Sequence, residues 1–263
     1  MDYLLLICGL FYLIASAISA SKLIAPSNPI NNYLIPTIML TLIIHGYWLY
    51  QHIMTLHGQN LPILIVLSLV TFIVSLLTTF SGKLFNTGML QPVVYICAMI
   101  NLIAIAYLPS QFITHVEAHP VLGLHILLAL LAYSTLTIGS LFALQLAYLD
   151  YRLKNRKLPL TKIDMPPMMS LEKSLFQIVF IGFILLTFTL FTAFFFLEDM
   201  FTAERINQAI LSIIAWIIYA LLLWGHNKHG WRGRITIYCT LSGSSFLTLA
   251  YFGSRFVVEV LLN

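Results

Sequence analysis

Stretches of about twenty consecutive apolar residues recur along nearly the whole chain and constrain its fold more than any other feature. A helix that spans a bilayer needs about 20 mostly apolar residues, and lipid admits only helices and closed barrels. Stretches of this length cover residues 3–21, 33–53, 61–80, 89–108, 121–149, 174–197, 206–225 and 235–256. The pattern therefore predicts an all-α fold, a polytopic transmembrane helical bundle with about eight spans in a single integral membrane domain, 1–263.

The composition excludes the soluble classes of protein. Of the 263 residues, 60% are hydrophobic and only 8% are charged, whereas a soluble domain has about 25% charged residues. So few polar side chains cannot cover a surface that faces water. A soluble enzyme, a nucleic-acid-binding module and a disordered chain are thereby excluded. We expect the lipid bilayer as the surrounding partner, with no nucleic acid and no nucleotide bound.

The basic residues predict how the chain is oriented. The connections after the first, third, fifth and seventh predicted spans contain 11 of the 13 lysines and arginines, and the other two are Arg205 and Arg255. Cytoplasmic loops of membrane proteins carry an excess of Lys and Arg. This bias predicts that both termini lie outside the cytoplasm and that the basic loop 150–173 is cytoplasmic.

Eight histidines stand out among so few polar side chains. Ionisable residues inside a membrane are costly and usually face the bundle interior. Helix rise places His45 ~18 Å from the inner end of the second span and His125 ~6 Å from the outer end of the fifth, at similar depths. Two imidazoles on facing helices suit a six-coordinate haem iron. The alternative for His125 is plain helix packing, with its ring hydrogen-bonded to a neighbouring carbonyl.

Small residues follow His125 on one face of the same span. At helical spacing, this face contains Ala129, Ala132, Gly139 and Ala143. Small side chains allow a close approach to the backbone, either by another helix or by a flat macrocycle. The sequence does not decide between a helix and a macrocycle as the neighbour of this face.

Three further histidines are candidate ligands. His226 lies ~20 Å or more from His45 and His125 by helix rise, so it could serve only a separate inner site, unless it is simply interfacial. His115 and His119 would share a helical face, a common arrangement for a divalent metal, although a solvated turn before Pro120 is the alternative. No nucleophile and base are positioned together in the sequence, so we expect that the protein is not an enzyme.

Several longer motifs resemble those of the cytochrome c assembly family. They are Leu124-His125-Ile126 with Ala132-Tyr133 and residues 145–148, the run 215–223, Gly230-Trp231-Arg232-Gly233-Arg234, and Tyr251-Phe252-Gly253. The resemblance covers nearly the whole chain and lies near the HemX-like branch, among small bacterial proteins. It implies a multi-pass protein of the bacterial inner (cytoplasmic) membrane, with periplasmic termini, that binds haem b non-covalently through histidines. His125 matches the family's histidine at the outer start of its helix, and His45 resembles the second-span histidine of that branch.

The chain also departs from the family pattern. Segment 198–205 lacks the tryptophan-rich motif of the haem-handling members, no histidine follows Gly253, and Leu223-Trp224 stands where many relatives have Leu-His. We therefore expect a protein of haem handling or sensing without synthase activity. The alternative is a cofactor-free accessory subunit that docks on a transporter or another membrane-protein partner.

Overall fold

The computed structural model describes residues 3–55, 58–108, 112–114, 120–154, 167–196 and 206–253. Most of these residues are helical. The helices are α1 Tyr3–Ile24, α2 Leu34–Ile53, α3 Ile63–Phe80, α4 Gly82–Phe85, α5 Gln91–Tyr107, α6 Pro120–Lys154, α7 Met168–Phe196, α8 Ile206–His229 and α9 Arg234–Thr248. Short 3₁₀ turns occupy Pro29–Tyr33 and Thr87–Met89, and a π-helical turn at Leu249–Gly253 follows α9.

The predicted polytopic helical fold is confirmed. Seven of the described helices are long and apolar enough to cross a membrane. The remaining predicted span corresponds to α5, which has 17 residues. At 1.5 Å per residue α5 is ~26 Å long, close to the ~30 Å thickness of a hydrocarbon core. The orientation of the termini stays a prediction.

Two helices extend beyond their predicted ends into the basic loop 150–173. Helix α6 continues to Lys154 and α7 already begins at Met168. Charged side chains do not end a helix at the bilayer surface, because its backbone hydrogen bonds are internal. With 35 residues, α6 is ~52 Å long, well beyond the hydrocarbon thickness. Residues 155–166 of the loop lie outside the described residues.

The described chain forms two compact units, one up to Thr114 and one from Pro120 onward. In the first, unit 1, α1 and α3 each pack against both α2 and α5, which makes a four-helix bundle. In the second, unit 2, α6 and α8 each pack against both α7 and α9, which makes another. The prediction of a single domain over 1–263 stays a prediction.

A small antiparallel sheet lies in unit 1, where α2 ends. It consists of β1 Met54–Thr55, β2 Gly58–Asn60 and β3 Ile113–Thr114, in that order. The sheet is held further by the backbone N–H of Phe112, which donates to Oδ1 of Asn60 at 2.8 Å. This sheet was not predicted, because strands of two or three residues are too short to show an alternating pattern.

The small-residue face of α6 is covered by α7. A Cβ added at Gly182 would lie 2.6 Å from Cδ2 of Leu136, and one added at Gly139 would lie 3.1 Å from Cγ2 of Val179. Ala132 and Ala143 on the same face are buried. The sequence allowed either another helix or a flat macrocycle against this face. Along residues 132–143 the structure shows another helix, α7.

The outward surfaces of both units are apolar. Large hydrophobic side chains such as Leu10, Ile43, Ile100 and Phe188 are exposed along the helices. Contiguous exposed apolar surface is rare on soluble monomers. The outer faces of the helices therefore suit the hydrocarbon of a bilayer.

The close packing of α6 against α7 can be tested with Gly182→Ala. The added methyl group would overlap the buried side chain of Leu136 and separate the helices. We expect a loss of about 1–3 kcal/mol in the free energy of unfolding, measured as a lower Tm of the purified protein in detergent. Gly88→Ala is the control, because nothing lies within 4 Å of its added Cβ. An equal Tm for the two variants would contradict this packing.

Candidate functional site

His45 is the centre of a buried polar cluster inside unit 1. Its side chain is fully buried, at 0% exposure. Nδ1 lies 2.9 Å from the Tyr12 hydroxyl of α1, and Nε2 lies 2.8 Å from the Ser68 hydroxyl of α3. The imidazole of α2 thus uses both ring nitrogens to join three helices of the bundle.

Aromatic rings enclose the His45 imidazole. The rings of Tyr12 and Phe72 lie 5.5 Å and 5.3 Å from it between centroids, each nearly perpendicular to it. Ligation of iron would require the loss of one of the two hydrogen bonds and an opening of this packing. These contacts make His45 a polar anchor of the bundle, and its predicted role as a haem ligand stays a prediction.

His125 is held by a directed chain of hydrogen bonds between α6 and α7. Its Nδ1 lies 3.1 Å from Oγ1 of Thr192. That hydroxyl donates its own proton to the backbone carbonyl of Thr189 at 2.9 Å. The tautomer with the hydrogen on Nδ1 satisfies both contacts at once, because Thr192 then accepts from His125 and donates to Thr189, and it places the ring's lone pair on Nε2. Histidines that bind metals show the same pattern, with one ring N–H held by a neighbour and the other nitrogen on the metal.

His125 lies in unit 2, and His45 lies in unit 1. Their predicted pairing on one iron stays a prediction.

His226 has a similarly fixed tautomer near the end of α8. Its Nδ1 lies 3.1 Å from the carbonyl oxygen of Trp231, and since a carbonyl only accepts, Nδ1 must carry the hydrogen. The lone pair is again on Nε2. The ring of Phe176 stacks on the imidazole at 3.5 Å between centroids and 17° between planes. This stacking fixes the plane of the ring.

The turn that holds His226 is built around glycines. Gly230 and Gly233 both have φ of +65°, a conformation that favours glycine. A Cβ added at Gly225 would lie 2.3 Å from the Trp231 indole, so only glycine allows that ring to lie on α8. The backbone N–H of Gly233 donates to Oε1 of Glu172 at 2.9 Å, which fastens the turn to α7.

The positions of His125 and His226 lie far apart within unit 2. Thr192 contacts the first histidine and Phe176 contacts the second, and both belong to α7. Sixteen residues of helix separate these two contact points, which corresponds to ~24 Å. The two imidazoles therefore cannot ligate the same iron, and each marks a separate candidate position.

The remaining predicted ligands, His115 and His119, lie outside the described residues. Among the residues that the structure does describe, no group of three or more His, Cys, Asp or Glu side chains is placed to hold a metal ion. The metal prediction for this pair stays a prediction.

Sequence reasoning missed the hydroxyl partners Tyr12, Ser68 and Thr192. A single hydroxyl in an apolar span has no periodic signal, so composition and spacing do not distinguish it from its neighbours. The hairpin formed by α6 and α7 could have indicated Thr192. The two helices run antiparallel, with Gly182 of α7 beside Leu136 of α6. A move back along α6 from Leu136 to His125 therefore corresponds to a move of about equal length forward along α7, which leads to Thr192.

Comparison with known proteins gives a consistent set of matches. The family model described as cytochrome C assembly protein matches residues 37–262. Inner membrane protein YpjD of Escherichia coli, in strains K12, O6:H1 and O157:H7, is 46% identical over 204 residues, which are 78% of this chain and 77% of that protein. An uncharacterized 28.8 kDa protein of Azospirillum brasilense is 28% identical over 145 residues, 54% of this chain and 53% of that protein. No solved structure matches the chain significantly.

The anchoring role of His45 can be tested with His45→Ala. The substitution leaves the hydroxyls of Tyr12 and Ser68 buried without this partner, at a cost of about 1–3 kcal/mol for each group. We expect a clearly lower Tm in detergent. His229→Ala is the control, because that imidazole is exposed. A Tm equal to that of the control would show that His45 does not hold the bundle together.

Proposed function

The chain belongs to the cytochrome c assembly protein family, and on that premise we propose that it is a haem-binding protein of the inner membrane that handles or senses haem. It is a multi-pass membrane protein, with seven described helices able to span a bilayer, and it is 46% identical to a protein named for the inner membrane. The proposed cofactor is haem b, bound without a covalent link.

The observation that carries this proposal is the directed chain from His125 through Thr192 to Thr189. It orients the imidazole, and the tautomer that satisfies both contacts has its lone pair on Nε2, which is the nitrogen that would bind iron. A hydrogen bond to the other ring nitrogen also raises the basicity of a ligating histidine. Bound haem would supply an iron that alternates between the ferric and ferrous states.

His226 is the second candidate ligand in the proposal. Its Nδ1–H donates to the Trp231 carbonyl and its ring lies flat on Phe176. Because it lies ~24 Å of helix away from the His125 position, it would serve a haem of its own at the other end of unit 2. His45 has no such role in the proposal, since both of its nitrogens are engaged.

The proposed role is carriage or sensing of haem and not catalysis. Segment 198–205 contains no tryptophan, whereas the resemblance assigns a tryptophan-rich segment to the members that transfer haem. We therefore propose that the protein has no synthase activity.

Absorption spectra of the purified protein test the His125 assignment. Wild-type protein from haem-replete cells should show a Soret band that shifts on reduction with dithionite. His125→Ala should lower the haem content and the Soret absorbance, and the double variant with His226→Ala should abolish them. Thr192→Val should weaken haem binding by about 10–100-fold, as loss of such a supporting partner typically does, whereas Thr192→Ser keeps the hydroxyl and should restore binding.

Two further variants serve as controls for the spectra. His229→Ala, at an exposed imidazole, should leave the spectrum unchanged, and His45→Ala should keep the haem content of whatever protein remains folded. A haem content that His125→Ala leaves unchanged would overturn the assignment of this ligand. A wild-type protein that stays featureless with added haemin would overturn haem binding and favour the cofactor-free accessory subunit.

A further inference from the structure

Five buried side-chain polar atoms of unit 1 have no hydrogen-bond partner among the described residues. Three of them are Nε1 of Trp48, on α2, and Nδ2 and Oδ1 of Asn101, on α5, and the other two are Oδ1 of Asn31 and Oγ of Ser75. Trp48 is 1% exposed and Asn101 is 4% exposed. Together the two side chains present donors and an acceptor in the buried part of unit 1.

Contacts through α1 place Trp48 and Asn101 in the same layer of the bundle. Tyr12 reaches His45 on α2, and a Cβ added at Gly9 would lie 3.9 Å from Cγ of Met99 on α5. Trp48 is three residues beyond His45, ~4.5 Å along its helix, and Asn101 is two residues beyond Met99, ~3 Å along its own. From His45 to Trp48 and from Met99 to Asn101, both helices run towards the end of the bundle where α2 meets the sheet.

Both side chains also belong to the buried faces of their helices. Buried residues of α5 recur at Val94, Tyr95, Ala98, Asn101 and Leu102, and those of α2 include His45, Trp48 and Leu49. This helical spacing is typical of the face turned towards a bundle interior. The unpartnered atoms therefore lie inside the bundle, about one turn from His45.

Such atoms require a ligand that is small, neutral and able both to donate and to accept hydrogen bonds. In hydrocarbon an unsatisfied polar group is strongly unfavourable, and buried water typically satisfies such groups with two to four hydrogen bonds. We propose that unit 1 binds internal water at Trp48 and Asn101, in a hydrated layer beside His45. This inference is independent of haem binding, which concerns the histidines of unit 2.

X-ray radiolysis of the full-length protein in lipid nanodiscs tests the proposal directly. The pulse generates hydroxyl radicals from water in place, so side chains beside internal water are oxidised even when bulk solvent does not reach them. Tyr95 is the internal control, because it is 0% exposed and its hydroxyl is paired with Oγ1 of Thr79 at 2.9 Å. We expect Trp48 to be oxidised several-fold faster than Tyr95, and oxidation of Trp48 at the Tyr95 rate would overturn the proposal.

The variant Asn101→Leu keeps the number and branching of the side-chain heavy atoms but removes the polar groups, and it gives a second measurement in which a wet and a dry layer predict Tm changes of opposite sign. If water satisfies the amide, leucine removes partners of that water, and we expect slower Trp48 oxidation and a Tm lower by about 2–4 °C. If the layer is dry, leucine replaces an unsatisfied buried amide with an apolar group and should raise Tm. A higher Tm together with unchanged Trp48 oxidation would overturn the hydrated layer.

Discussion

A polar side chain buried between membrane helices has no bulk water to hydrogen-bond, and this constraint organises both units of the protein. Each described histidine within the helical cores uses at least one ring nitrogen on a protein partner. In unit 1, His45 joins α2 to α1 and α3. In unit 2, His125 joins α6 to α7, and His226 joins α8 to the turn that follows it. These three histidines are therefore cross-links within the two bundles.

The hydrogen-bond partners of each histidine determine which of its ring nitrogens carries the hydrogen. Two hydroxyls occupy both nitrogens of His45, so its ring is fully committed to the fold. For His226, a backbone carbonyl takes one nitrogen and must take it as N–H, because a carbonyl cannot donate. For His125, the tautomer with the hydrogen on Nδ1 is the one that also lets the Thr192 hydroxyl donate to the Thr189 carbonyl. Depth in the membrane does not separate these cases, whereas the identity of the hydrogen-bond partner does.

The sequence predicted the helices well because lipid imposes a length and a composition on every span. It could not predict partners, since a hydroxyl such as Ser68 in an apolar run has no pattern that marks it. The small-residue face after His125 shows the same limit. Its spacing predicted close approach by a helix or a macrocycle, and only the structure shows α7 lying there, against Leu136 and Gly139. The short sheet beside α2 escaped prediction because its strands are too short to alternate.

The end of α8 shows how a departure from a family pattern can still keep a geometry. The family resemblance implies a histidine where this chain has Trp224, and His226 comes two residues later, about 200° around a helix. Trp224 is 53% exposed, whereas His226 is half-buried, stacked on Phe176 and bonded to the turn. In this chain a histidine at position 224 would point away from the bundle and one at position 226 points into it. The imidazole that faces the bundle at this end of unit 2 is therefore at position 226. It is placed there by the way α8 is turned about its own axis and by the glycine-containing turn, whereas the family motif would place a histidine at position 224.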